Sequence, residues 1–125
     1  MALKSTFVTN PVKTILVEET ASTNSSNNNV AGGAAYIISV TILNASYGTP
    51  VYTKLCDSST ATVGTTAASL VLLTPASVDR TYVLHPPLYY ENGVSFFTTT
   101  TAGQAGTTAP STPPAVRLLL SSTSS

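Results

Sequence analysis

Residues 50–57 read PVYTKLCD and place one of the chain's five Lys or Arg residues two positions from its single cysteine. In a strand, Lys54 and Cys56 would share a face, and a nearby cation lowers a thiol pKa. Together with Asp57 they could form a nucleophilic site. Such a site also needs a base and an orienting group within hydrogen-bond reach. The only histidine, His85, ends the run Tyr-Val-Leu-His and precedes two prolines, with no Gly-x-Ser-x-Gly elbow and no cysteine signature beside it. Asp79 and His85 could lie on one strand face, but about 20 Å apart, which is too far for a dyad. Glu18 and Glu19 are adjacent and would face opposite ways. Asp57 and Asp79 fall at strand ends, where Asp usually closes turns. Carboxylates this dispersed make no calcium loop. Gly32-Gly33 and residues 103–106 lack the strand–loop–helix frame of a phosphate loop. The expectation is a non-enzymatic chain with no catalytic residue, no metal and no cofactor.

Binding has more to work with. Six tyrosines and three phenylalanines include Tyr89-Tyr90 and Phe96-Phe97, which flank Asn92-Gly93. Asn-Gly between apolar runs predicts a two-residue type I′ hairpin, in which one aromatic of each pair points outward. Tyr90 and Phe97 are therefore candidates to contact a sugar or a protein partner. Two stretches, residues 20–34 and 98–114, are long and polar, and loops of that length tend to be functional or mobile. Asn27, Asn28, Asn29, Thr107 and Thr108 are the candidate partner-binding residues within them, with residues 4–8 as an arm.

The elements that would position these residues are all strands. Spans 12–18, 35–43, 51–56, 69–74, 79–85, 94–98 and 115–120 are rich in β-branched, aliphatic and aromatic residues and are bounded by Gly, Pro, Asn or Ser. A short further strand is possible at 5–8. No window carries a helical apolar stripe. In 35–43, Tyr36, Ile38, Val40 and Ile42 are expected inside, with Ile37, Ser39, Thr41 and Leu43 partly covered. In the next strand Val51, Thr53 and Leu55 would point inward, with Tyr52, Lys54 and Cys56 on the outer face. Lys54 is then expected to lay its stem over apolar neighbours and hold its ammonium in solvent or on a carboxylate. Pro86-Pro87 should limit the strand before the Asn-Gly turn. The fold expected is an all-β, antiparallel two-sheet β-sandwich, Ig-like or jelly-roll, with about seven or eight strands. An N-terminal arm would span 1–11, the sandwich 12–120 and a polar tail 121–125.

A chain of 125 residues fits one domain. Charged residues are 8% and formal net charge is zero, against a usual charged share of about 25%. Lys4, Lys13, Lys54, Arg80 and Arg117 are scattered singly, so no basic stripe exists for nucleic acid or an anionic membrane. A single cysteine forms no intrachain disulfide and suits a reducing compartment. The opening MALKSTFVTNPVKTILVEE has no signal-peptide pattern, so the chain is expected to stay where it is made. No apolar run approaches the ~20 residues of a membrane span. Asn24-Ser25-Ser26 and Asn44-Ala45-Ser46 match the glycosylation sequon, which chance explains in so Asn- and Ser-rich a chain.

From Ala35 to Thr98 the order of motifs resembles that of small virion proteins of tailed bacteriophages. The matching pieces are Ile42-Leu43-Asn44, then Pro50 to Asp57, Val63-Gly64-Thr65, Leu70 to Pro75, and Gly93-Val94-Ser95-Phe96. They cover about half the chain. Thr53 and Cys56 stand where Val and an aromatic are more usual, and the 98–114 loop is long. The resemblance implies a β-sandwich component of the particle and no catalytic residues. Its first implication is a capsid decoration or cement protein on the outside of the head. Such a protein would bind the major capsid protein, form a homo-oligomer (a trimer favoured) and be assembled in the host cytoplasm. The alternative is a receptor- or glycan-binding module of a tail or fibre. A small β-rich hydrolase, a third reading, would need His85 beside Ser, Cys or Asp.

Overall fold

In a computed structural model, which describes residues 13–103 and 106–122, seven strands form two antiparallel sheets. The expected strand at 5–8 and the arm at 4–8 lie outside the described residues. The strands are β1 (Lys13–Glu19), β2 (Ala35–Leu43), β3 (Val51–Asp57), β4 (Leu70–Thr74), β5 (Asp79–Tyr90), β6 (Val94–Thr99) and β7 (Ala115–Ser122). One sheet runs β1-β7-β2-β5 and the other β4-β3-β6. No described residue is helical. The chain is an all-β two-sheet sandwich.

The core lies between the sheets. Ile37, Val40, Ile42, Val116, Leu118 and Leu120 face Val51, Leu55, Leu72, Val94 and Phe96 across it. These side chains come from β-branched or long aliphatic residues at alternate positions, which is why the segments form strands with one buried face. Thr53 also points inward, as expected, and its hydroxyl meets that of Thr98 at 3.2 Å, which in turn meets Ser22 at 2.7 Å. The hydroxyls satisfy one another where water cannot reach.

β2 departs from simple alternation. Its pairing with both neighbours shifts register between Ile37 and Ser39, and against β7 Ile38 is an extra residue. A bulge inverts the in–out phase beyond it. Val40 and Ile42 are inside as expected, but before the bulge the inward residues are Ala35 and Ile37. Tyr36 is exposed rather than buried, and Ile38 is only partly covered.

β5 runs straight through Pro86-Pro87, so the prolines do not limit it. β5 is an edge strand, and residues 84–87 fall in a register gap between Val83 and Leu88. A missing N–H breaks no ladder bond there.

The Asn92-Gly93 turn is not a hairpin. β5 pairs with β2, whereas β6 pairs with β3, so the turn carries the chain from one sheet to the other. A type I′ hairpin needs positive φ at both central residues, and only Gly93 has it, at 130°. Asp57, at the end of β3, holds the arch. Its carboxylate accepts Asn92 N–H at 2.8 Å and Glu91 N–H at 3.3 Å.

Candidate functional site

The outer face of the three-stranded sheet carries the sequence's chemical residues, and it is covered over β3 and β6, while Val71 and Leu73 at the β4 edge stay 42% and 41% exposed. Lys54 is 1% exposed and Cys56 fully buried. Residues 58–69 lay Ala61, Val63 and Ala68 against Cys56 and Phe97. The loop after β6 folds over Lys54, whose Nζ donates to the carbonyls of Gly103 at 2.7 Å and Gly106 at 3.2 Å. The ammonium also stands 5.9 Å from the centroid of Phe97, its cross-strand neighbour, at the range where a ring face attracts a cation. Gly106 has to be glycine, because a Cβ there would run into the Thr101 side chain.

Lys54 therefore sits neither in solvent nor on a carboxylate. The expectation failed because it treated an outer face as a wet face. Burial pulls the Lys54 pKa down, and the nearby Cys56 only partly offsets this. Burial pushes the Cys56 thiol up, with Lys54 acting weakly the other way. A thiol raised by desolvation is a poor nucleophile near neutral pH. The cluster can hold a loop down, and it is not built to attack a substrate.

His85 is exposed on the edge strand, without a hydrogen-bond partner among the described residues. The triad a hydrolase would require is not assembled around it. Among the described residues, no three of His, Cys, Asp or Glu converge on a point that could hold a metal ion.

Several candidate partner-binding residues are committed to the fold itself. Residues 20–34 lie along the free edge of β6. Asn27 exchanges both backbone bonds with Phe96, Val30 N–H donates to Val94, and Thr98 N–H donates to Thr23. An uncovered strand edge invites aggregation, and this loop blunts it. Asn29 adopts φ 49° and donates its N–H to Ser95 Oγ. Asn28 is exposed, but its side chain accepts from Ala61 N–H at 3.0 Å. Thr107 and Thr108 are exposed, and their carbonyls accept from Asn24 Nδ2 and Thr100 N–H. Asn24 and Thr107 thus tie the two long loops together. Tyr90 and Phe97 are 2% and 1% exposed, so neither can stack on a ligand. Once the Asn-Gly turn crosses between sheets, Tyr90 faces the core and Phe97 falls beneath residues 58–69. The Tyr90 hydroxyl meets Ser69 Oγ, and burial pushes its pKa up to about 12. The Asn44 sequon is closed as well, since its side chain is buried and donates to Thr49 and Pro75.

The outer face of the four-stranded sheet leaves apolar side chains of its two edge strands exposed. Register aligns Leu16, Leu119, Ser39 and Val83 in one row across all four strands. Leu16 is 60% and Val83 70% exposed. On one side lies the row Thr14, Ser121, Tyr36 and Tyr89, with the two tyrosine rings 4.9 Å apart. On the other lies Glu18, Arg117, Thr41 and Thr81, in which Arg117 and Glu18 approach to 3.9 Å. Sequence reasoning missed this face. Leu16 and Val83 read as ordinary strand apolars, and only strand order brings them into one row.

No protein-family model matches the chain, and no curated protein matches it either.

Proposed function

We propose that the protein is a non-enzymatic structural component of a phage particle, a decoration or cement protein that docks on the outside of the head. The observation that supports this reading is the pair of exposed side chains Leu16 and Val83, in one row with the half-buried Leu119 and flanked by paired charges and paired tyrosines. Three rows on four strands span a footprint of about 20 by 20 Å. That is roughly 400 Å², half of what one partner contributes to a standard interface of about 800 Å² per side. One such face binds weakly. An oligomer presenting several faces to a repeating shell binds tightly, because each further contact is intramolecular. A neutral, self-paired face suits an apolar patch on major capsid protein, and nucleic acid has nothing there to bind.

A second reading rests on Tyr36 and Tyr89, which are 36% and 45% exposed and stack on each other. Exposed aromatic rings of this kind can stack on sugar rings, as a glycan-binding module of a tail or fibre would require.

Co-sedimentation with empty heads of the encoding phage tests both. Saturable binding that is lost in Leu16→Glu/Val83→Glu is the expected outcome. Deleting residues 20–34 would be a poor test, because it strips the edge of β6. If the intact protein ignores heads and instead binds host glycans through Tyr36 and Tyr89, the tail reading replaces the first.

A further inference from the structure

The arch between β5 and β6 carries chemistry of its own. Asn92 is exposed, and its side chain has no hydrogen-bond partner among the described residues. The next residue is glycine, so no Cβ shields the following amide. The Gly93 carbonyl accepts from Ser58 N–H at 3.0 Å, but no acceptor takes the Gly93 N–H among the described residues. Gly93 is buried, but a backbone amide with no acceptor next to an exposed, unpartnered asparagine side chain is the arrangement in which the chain attacks itself.

We propose that Asn92-Gly93 is a self-modification site, at which the Gly93 amide closes on the Asn92 side chain and converts it to a carboxylate, mainly as isoaspartate. A solvent base removes the Gly93 N–H proton, and the nitrogen forms a bond to Asn92 Cγ. The Cγ–Nδ2 bond breaks and the side-chain nitrogen leaves as ammonia, taking up a proton from water. Water then opens the five-membered imide. Attack at the side-chain carbonyl gives aspartate, and attack at the main-chain carbonyl gives isoaspartate with one more carbon in the backbone. No oxidant, metal or cofactor enters.

The position makes the event consequential. The new carboxylate arises beside that of Asp57, which already holds the Asn92 and Glu91 N–H groups. Like charges this close repel. The extra backbone carbon enters where Gly93 is tightly enclosed, since a Cβ on it would meet Asn29 Oδ1 at 2.9 Å and Ser58 O at 3.3 Å. Both effects loosen the joint between the sheets.

The test is to incubate the folded protein at mildly alkaline pH, map its peptides by mass and label isoaspartate with an isoaspartyl methyltransferase. The expected result is conversion at Asn92 several-fold faster than at Asn27, Asn28 or Asn29, abolished in Asn92→Gln and accompanied by a lower melting temperature. Retention of the Asn92 amide in folded protein, while urea-unfolded chain loses it, would overturn the proposal. Conversion at Asn92 with an unchanged melting temperature would overturn the part that concerns the joint.

Discussion

The two outer faces of the sandwich use similar residue types in opposite ways. On the three-stranded sheet, Lys54, Cys56 and Phe97 lie beneath residues 58–69 and the loop after β6. On the four-stranded sheet, Leu16 and Val83 are 60% and 70% exposed. A cation is thus buried while aliphatic side chains are left wet, the reverse of what residue type alone favours. Connections decide this. The long loops both leave or approach the edge formed by β6, and their chain is spent sealing that side.

The largest expected effect comes from breaking the covered face. Phe97→Ala removes the ring that contacts Cys56, Ala61 and the Lys54 ammonium, and the surrounding loops cannot fully collapse into the space. A loss of about 3–5 kcal/mol is expected from the removed contacts and the cavity. Urea unfolding measures it. A loss no larger than that of an exposed substitution would mean residues 58–69 do not pack as described.

An intermediate effect is expected from Lys54→Met. The two loop carbonyls lose a charged donor, while the cost of burying an ammonium disappears, so the net loss at neutral pH is about 1 kcal/mol. The pH dependence carries the signature. Burial lowers the Lys54 pKa in the folded state, so between that value and the unfolded value of 10.5 the unfolded chain holds more protons. Stability from this group therefore rises with pH across that window. Cys56 and Tyr90, both raised by burial, act oppositely at alkaline pH in both proteins, and losing the Lys54 charge raises Cys56 further in the variant, which widens the gap in the same direction. Wild type should thus gain on Lys54→Met as pH climbs towards 10.5. A constant gap between the two denaturation curves would show that Lys54 is not desolvated in the fold.

Much of this architecture was legible in the chain, and the failures share a cause. Every strand from β1 to β7 announces itself by β-branched and aromatic runs between turn residues, and the inward set of Val51, Thr53 and Leu55 follows from alternation. Alternation does not reveal Ile38, because an inserted residue leaves no local mark and its effect is to invert the phase on one side of it. Asn92-Gly93 marks a turn correctly, but a turn does not say whether its arms pair with each other or with strands from elsewhere. The fates of Tyr90 and Phe97 both followed from that choice. Lys54 was placed on the correct face, yet what covers a face comes from loops distant in sequence. The exposed pair needed strand order above all, since Leu16 and Val83 are far apart in the chain and in line only through β7 and β2.

The smallest expected effect falls on that row. Leu16→Ser and Val83→Ser replace side chains that are mostly solvated already, so each should shift unfolding by no more than about 0.5 kcal/mol. If the face exists to be covered by a partner, the same pair should nevertheless weaken head binding strongly, since apolar area removed from water would be the main source of affinity there. The informative quantity is the ratio of the two effects. Residues selected for folding lose stability and binding together, whereas residues selected for docking lose binding alone. A double variant that unfolds as easily as Phe97→Ala would place Leu16 and Val83 in the fold's own core and withdraw the contrast between the two faces.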